Sequence, residues 1–492
     1  MNERSSVADL AESLRRELQR YPDGRMLPSS RALMAEHRVS PGTVSRAIAV
    51  LAAEGLVVSR PGAGVFRVRP RAGAGGGPAG DLSWQQVALS AGSGPAQRVV
   101  DASGVLATLT VPPAEVIDLN SGYLHPSLQP ERALGAALAR AGRRPGTWSR
   151  PPVEGLPELR AWFAADISGP THSLGAADVL IAAGGQHALS TALRALAAPG
   201  APVLVESPTY SGILAVARAA GLRPVPVPMD AEGVRTDLLA DAFAATGARV
   251  FVCQPLFQNP TGAVLAPQRR AEVLAVARAA GAFVIEDDFA RKLVHADAPP
   301  VPLPLAADDP DGVVVHLRSL TKPSSPSLRI AAISARGPAF ERLRALQAVD
   351  SFFVARPLQE TALELVAAPS WRTHLRAVAT ALRERRQALA APLLAQGHLT
   401  GPVPLGGYHL WLRLPDGADE TALTAAALRV GVAVTPGHAY YPAEPPAPHL
   451  RASYAAAPTP QHLTRAAHLL AEVLGAEDLR SPDLRAPGVR GG

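Results

Sequence analysis

At 492 residues the chain exceeds what one hydrophobic core organises, so two or more domains are expected; 47% apolar and 18% charged residues exclude wholesale disorder. No apolar run free of Pro, Arg or Asp reaches the roughly 20 residues a membrane-spanning helix needs, and one cysteine, Cys253, excludes an internal disulfide, so a reducing cytoplasm is expected. The formal net charge is +6, with 12 Arg against 7 acidic residues in positions 1–80, and of 48 basic residues only Lys292 and Lys322 are lysines.

Ser6 to Arg20 reads as an amphipathic helix, Ser29 to His37 as a second whose start a serine of Leu27-Pro28-Ser29-Ser30 can cap, and Ser40 to Glu54 as a third. The short Arg38-Val39-Ser40 turn sets the second and third helices at a steep angle. Thr43, Ser45 and Arg46 are expected to project from the first turns of the third, as a recognition helix does in a major groove. Gly55 to Val68 alternates like a hairpin with a glycine turn, a wing on which Arg60 and Arg67 can meet phosphates. A three-helix protein-binding module with solvated arginines is the alternative.

Taken together, Leu27-Pro28-Ser29-Ser30-Arg31, Val39-Ser40, Thr43-Val44, Leu51, Glu54-Gly55-Leu56 and Arg60-Pro61-Gly62-Ala63-Gly64 resemble the GntR-type winged helix over nearly its whole length. The resemblance implies Arg31, Thr43, Arg46 and Gly62 near DNA. With Ser40, Ser45 and Arg60 they form the expected DNA face, and a double-stranded operator is the expected partner. Pro41-Gly42 departs from the pattern, standing where these proteins often place an arginine and a polar residue.

Pro70 to Gly80 has almost no side chain to bury and reads as a flexible Gly-rich linker; a polar, poorly patterned stretch follows Trp84, with room for one short helix. The expected division is a winged helix-turn-helix over 1–70, a connector over 71–114, a large body over 115–478 and a disordered tail over 479–492. In the body, Val179 to Ala182, Val203 to Glu206, Val250 to Cys253, Phe283 to Glu286 and Val313 to Leu317 read as buried strands, with helices near 186–198, 211–220 and 268–280. That alternation predicts a doubly wound, mostly parallel α/β sheet. A helical stretch over 338–396 leads to Tyr408 to Leu414 and Gly431 to Tyr454, a small C-terminal α+β subdomain placed at about 375–478.

Ala183-Gly184-Gly185-Gln186-His187 joins a strand to a helix and leaves backbone N–H groups where a phosphate monoester is favoured. Asn259-Pro260-Thr261-Gly262 ends another strand and can aim the Asn259 amide at a ring hydroxyl. Phe283 to Asp288 is a strand ending in three carboxylates, one of which can keep a pyridine nitrogen protonated. Metal ligation or a solvated strand end are the alternatives; no histidine cluster with ligand spacing lies nearby, and no metal is expected. Lys322 stands after the next strand: a Schiff base needs a primary amine, which Arg cannot supply, so a lysine kept in an arginine-biased chain suits an aldehyde, although a surface lysine is the alternative. Arg329 can return to a phosphate. Arg451, in the apolar run Leu450 to Tyr454, can hold a carboxylate in two-pronged fashion or make a structural ion pair.

The order of these features resembles the class I/II aminotransferases of fold-type I from about Ile117 to about Leu474, including Ile117-Asp118-Leu119-Asn120-Ser121-Gly122 and Gly155-Leu156-Pro157-Glu158-Leu159-Arg160. With the head, the whole chain resembles the MocR/GabR type of bacterial regulator. The resemblance implies pyridoxal 5'-phosphate held as an aldimine on Lys322, Asp287 on the pyridine nitrogen, and Asn259 on the ring hydroxyl. It implies Arg329 with Gly184, Gly185 and Gln186 around the phosphate, Tyr210 on the ring face, and Arg451 on the carboxylate of an amine or amino-acid effector. A homodimer and no membrane are implied as well.

Three departures bear on activity. Phe289 stands where the family usually has a tyrosine bonded to the cofactor, Trp148 where a tyrosine is common, and Ala183 and Gly185 replace hydroxyl residues of the phosphate cup. A regulator that senses an amine or the cofactor itself is therefore the leading expectation. An active aminotransferase with a DNA-binding head is the first alternative, and a repressor that has lost the cofactor the second.

Overall fold

In the computed structural model of the protein the described residues are 3–18, 26–54, 56–60, 64–67, 84–85, 101–170, 173–399 and 402–475. They form two units, residues 1–93 and 94–492. The Pro70 to Gly80 linker, Gly62, the Arg60 side chain and the tail over 479–492 lie outside them.

The first unit has helices Glu3–Leu18, Ser30–His37 and Pro41–Ala53, then the antiparallel pair β1 (Val57–Arg60) and β2 (Gly64–Arg67). Leu10, Leu14 and Leu18 of the first helix meet Leu33, Val44, Ala47 and Leu51 in one core. Ser29 caps the second helix by accepting from the Ala32 N–H at 3.2 Å, and Ser40 caps the third by accepting from the Thr43 N–H at 3.2 Å. Pro41 takes the first position of the third helix, where a missing N–H costs nothing.

In the second unit β3 (Ile117–Asp118) precedes a sheet of β4 (Val179–Ala182), β5 (Pro202–Ser207), β6 (Arg223–Asp230), β7 (Gly233–Val234), β8 (Val250–Cys253), β9 (Phe283–Asp287), β10 (Val314–Ser319) and β11 (Ala331–Ser334), in spatial order β4-β11-β10-β9-β8-β5-β6-β7. β11 and β7 run against the others. Alternation puts Val179 and Ile181 into a core with helices Pro157–Ile167, Thr236–Thr246 and Pro267–Ala279. Leu180 and Ala182 enter another core with helices Gly185–Leu196, Ser211–Ala219 and Gly337–Ser351. The expected doubly wound, mostly parallel sheet is thus present.

Three of its strands, β6, β7 and β11, escape the sequence pattern. β6 carries Pro224, Pro226 and Pro228; Arg223, Val225, Val227 and Met229 turn their N–H groups toward β5, and the prolines fall on the outer side, where Pro228 accepts from Arg235 at 3.0 Å. β7 has only two residues, and β11 reads Ala-Ala-Ile-Ser, with a single large apolar side chain to mark it, where the equally short β4 and β8 are apolar throughout.

The long helical stretch divides into Gly337–Ser351, Arg356–Ala367 and Pro369–Ala395. The smaller subdomain joins β12 (His409–Arg413), β13 (Val432–Ala433), β14 (Thr435–Pro436) and β15 (His449–Ser453) with helices Glu420–Arg429 and Pro460–Gly475. It also takes in β3, which pairs with β13, and Leu119 and Leu124, so it draws on residues well before position 375. Among the described residues no helix is long and apolar enough to cross a membrane.

Candidate cofactor site and DNA-reading head

The C-terminal ends of β4, β5, β8, β9 and β10 open on one cavity, the place where parallel α/β sheets bind ligands. Gly185, Gln186, Tyr210, Asn259, Asp287, Lys322 and Arg329 all line it. Lys322 Nζ donates to the Gly122 carbonyl at 2.8 Å and lies 4.4 Å from the Tyr123 ring centre. Burial, and then the neighbouring Arg451, push its amine down to about 8, against the pull of Asp287. Burial likewise pushes the Asp287 carboxyl up to about 6, against the Gln254 amide, which donates to it at 2.7 Å.

The three carboxylates at the end of β9 divide as a strand's alternation requires. Asp287 faces the cavity. Glu286 accepts from the Leu305 and Ala306 N–H groups and meets His316 Nδ1 at 2.8 Å, while Asp288 is bound by Arg318 at 2.8 Å and Arg291 at 2.9 Å. Glu286, Asp288 and His316 lie close enough to share a cation, a grouping invisible to sequence spacing because His316 comes from β10. The arginines neutralise Asp288 without a metal.

The phosphate end is made by helix Gly185–Leu196 and Arg329. Gly184 has φ +90°, and a Cβ there would lie 2.5 Å from the Arg329 guanidinium, so only glycine lets the arginine close over the helix start. Arg329 itself has φ +51° and donates to the Ala183 carbonyl at 3.0 Å. The helix's first N–H groups and its positive end favour an anion there. Two hydroxyls restore what Ala183 and Gly185 lack: Ser319 and Thr321 line the same cavity, and the buried Thr321 Oγ1 has no hydrogen-bond partner.

Asn259 receives Arg451 Nη1 at 3.4 Å, and Arg451 also donates to the Asn120 carbonyl and stands 5.3 Å from the Tyr440 ring centre. Arg451 is 2% exposed and its Nε has no hydrogen-bond partner; among the described residues no carboxylate pairs with it. The structural ion pair considered for it is absent there. Phe289 lines the cavity edge-on to Tyr408, ring centres 6.3 Å apart, and the Tyr408 hydroxyl donates to the same Gly122 oxygen as Lys322, at 2.6 Å. A phenol thus stands beside the lysine although position 289 lacks one. Trp148, 84% exposed, lines neither this cavity nor the one beside Arg451.

An orphaned hydroxyl, an arginine folded over a helix start, a carboxylate facing a buried amine: these residues fit a phosphorylated pyridine aldehyde. Sequence reasoning missed Ser319 and Thr321, which stand in the Lys322 segment itself, and Gln254 and Tyr408, which reach the site from segments with no motif of their own.

In the head, Arg31, Ser40, Ser45 and Arg46 are exposed, and Arg46 Nε donates to the Gly42 carbonyl at 3.2 Å. Thr43 does not project as expected: it is 3% exposed, its hydroxyl 2.8 Å from that of Ser40, because it completes the cap of its own helix.

Residues 114–470 match the family described as aminotransferase class I and II. The chain belongs to that family. Residues 7–66 match the gntR family of bacterial regulatory proteins, so an aminotransferase-like body and a GntR head share one chain, the MocR arrangement. The HTH-type transcriptional regulator YisV of Bacillus subtilis is 28% identical over 430 residues, which cover 85% of this chain and 85% of that protein. The vitamin B6 salvage pathway transcriptional repressor PtsJ of Salmonella typhimurium is 30% identical over 324 residues, 66% of this chain and 72% of that one. The crystal structure of LysN, the α-aminoadipate aminotransferase of Thermus thermophilus, complexed with N-(5'-phosphopyridoxyl)-L-leucine, superimposes with a TM-score of 0.71 at 28% identity, covering 80% of this chain and 98% of that one. Pyridoxal phosphate is the cofactor of the aminotransferase-like body.

Proposed function

We propose that the chain is a transcription regulator whose head reads an operator in double-stranded DNA and whose body holds pyridoxal phosphate on Lys322 to sense an amine or amino acid, or the cofactor itself. The observation that carries this is a buried, low-pKa lysine beside an arginine lacking a carboxylate partner, in a chain that opens with a gntR match. That PtsJ is by name a repressor and YisV a regulator supports it.

Pyridoxal phosphate, when bound, supplies an aldehyde that condenses with primary amines and a ring that accepts electron density. Lys322 would present the amine that holds the cofactor, and the Gly122 carbonyl is the acceptor for that amine when it is free. Asp287 would stand at the pyridine nitrogen, Asn259 at the ring oxygen and Tyr210 at the ring face, since all three line the cavity with Lys322. Arg329, Gly184, Gly185 and Gln186 hold the phosphate, and Arg451 the effector's carboxylate. Arg31, Ser40, Ser45, Arg46, Arg60 and Gly62 form the DNA face. The protein works in the cytoplasm as a homodimer that meets paired half-sites. The exposed Trp148, Val349 and Phe352, at 84%, 81% and 73%, support a partner surface. Effector binding shifts the balance between arrangements that differ in DNA affinity.

Lys322→Ala is expected to abolish the visible absorbance of the bound cofactor and the effector response in footprinting, while ligand-independent DNA binding persists. An unchanged spectrum rejects the site. Ordinary transaminase turnover combined with indifference to its own upstream DNA rejects the regulator.

A further inference from the structure

The helix Ser103–Leu109 stands between the head and the family-matched body in the chain, yet it is part of the second unit. It packs on helix Ser211–Ala219: a Cβ on Gly104 would lie 3.5 Å from Ser211 Cβ and 3.7 Å from Ala439 Cβ, so nothing much larger fits there. Its start is held by Asp101, which accepts from the Ser103 N–H at 2.9 Å and hydroxyl at 2.7 Å. Val105, Thr108 and Leu109 line a second cavity together with Tyr123, Lys322 and Arg451. The Thr108 hydroxyl is turned back on the Val105 carbonyl at 2.8 Å, so it is not offered to a ligand.

Asn120 joins this helix to the arginine. Its side-chain amide donates to the Ala107 carbonyl, and its own carbonyl receives Arg451 Nη2. A carboxylate drawn to Arg451 therefore arrives beside the residue that ties the helix to the body.

The charged groups lining this cavity are Lys322, Arg329 and Arg451. With the first two engaged by the cofactor and the third by a carboxylate, no cation remains among the described residues for a second carboxylate, and no lining carboxylate among them awaits a basic side chain. What remains beside the helix is apolar or aromatic surface.

Resting on the reading of Lys322 and Arg451 given above, we infer that the connector helix Ser103–Leu109 is the effector-reading element: Val105 and Leu109 receive the side chain of an apolar α-amino acid, and the occupied helix docks more firmly on the body. The segment that leads to the DNA-reading head is then the segment that touches the ligand.

The test uses the full chain loaded with pyridoxal phosphate and follows the cofactor's visible absorbance during titration with glycine, L-leucine, L-aspartate and L-lysine. L-leucine is expected to bind about tenfold or more tighter than glycine, which has no side chain to place, and tighter than the two charged amino acids. The Val105→Ala/Leu109→Ala variant should cut the leucine-to-glycine preference by about tenfold. Hydrogen exchange across 103–109 should slow with L-leucine and not with glycine. An unaltered preference in the variant, equal binding of L-aspartate or L-lysine, or exchange indifferent to leucine overturns the inference while leaving the Lys322 site standing. A spectrum that no amino acid shifts overturns both.

Discussion

An amine buried among cations behaves unlike a surface lysine. Lys322 is pushed down to about 8, so near that pH half of it is neutral and able to attack an aldehyde, where an ordinary lysine, titrating near about 10.4, is almost wholly protonated. The sign follows: lowering the pH through 8 protonates the amine and slows capture. The rate at which cofactor-free protein takes up pyridoxal phosphate, read from absorbance, is therefore expected to rise with pH and level off above about 8. A rate still climbing at pH 10 would mark Lys322 as an ordinary lysine. Lys322, Asp287 and Asn259 were legible because each ends or follows a strand and belongs to a recognisable order. Ser319 and Thr321, though beside Lys322, were not, since only the fold shows which hydroxyls of that serine-rich segment face the cavity; Gln254 and Tyr408 matter through Asp287 and Gly122, far away in the chain. The loss of a phenol at Phe289 was legible, but the phenol of Tyr408, brought to the same lysine by β12's approach, was not.

At the level of elements, the amphipathic and buried patterns located the head's three helices and hairpin, five strands of the large sheet and the helices near 186–198, 211–220 and 268–280 within a few residues, but did not single out Pro157–Ile167, Thr236–Thr246, Glu420–Arg429 or Pro460–Gly475. The connector reads as polar and aperiodic with room for one short helix; that helix is present, and what composition does not show is that Asp101, Gly104 and Asn120 fasten it to the body. β6 was missed because proline argues against a strand, a rule that relaxes when every second residue faces an outer edge. The third helix of the head shows how one element divides its labour. Ser40 and Thr43 form its cap, while Ser45 and Arg46 stand exposed. Ser40→Ala is expected to cost the head about 1 kcal/mol, visible as a lower melting temperature. Arg46→Ala should leave melting unchanged and weaken operator binding by about 1 to 3 kcal/mol if the side chain meets a base edge. Unaltered operator affinity removes Arg46 from the DNA face.

For the whole molecule, Val349 and Phe352 end one exposed helix face. Gly146, two residues before the exposed Trp148, has its Cβ position 3.8 Å from the Arg356 guanidinium, four residues beyond Phe352 in the chain. Phe352→Glu/Val349→Glu is expected to raise the dimer dissociation constant at least about tenfold in sedimentation. A dimer of unchanged strength would place the interface elsewhere. The proline-lined side of β6 bears on the same question from the opposite direction. Over 224–228 that rim presents no N–H group, so a stray strand finds nothing there to accept from, and stacking of sheets into fibrils is denied its first hydrogen bonds. The sheet is thereby spared growth along the stretch of β6 that β7 leaves uncovered.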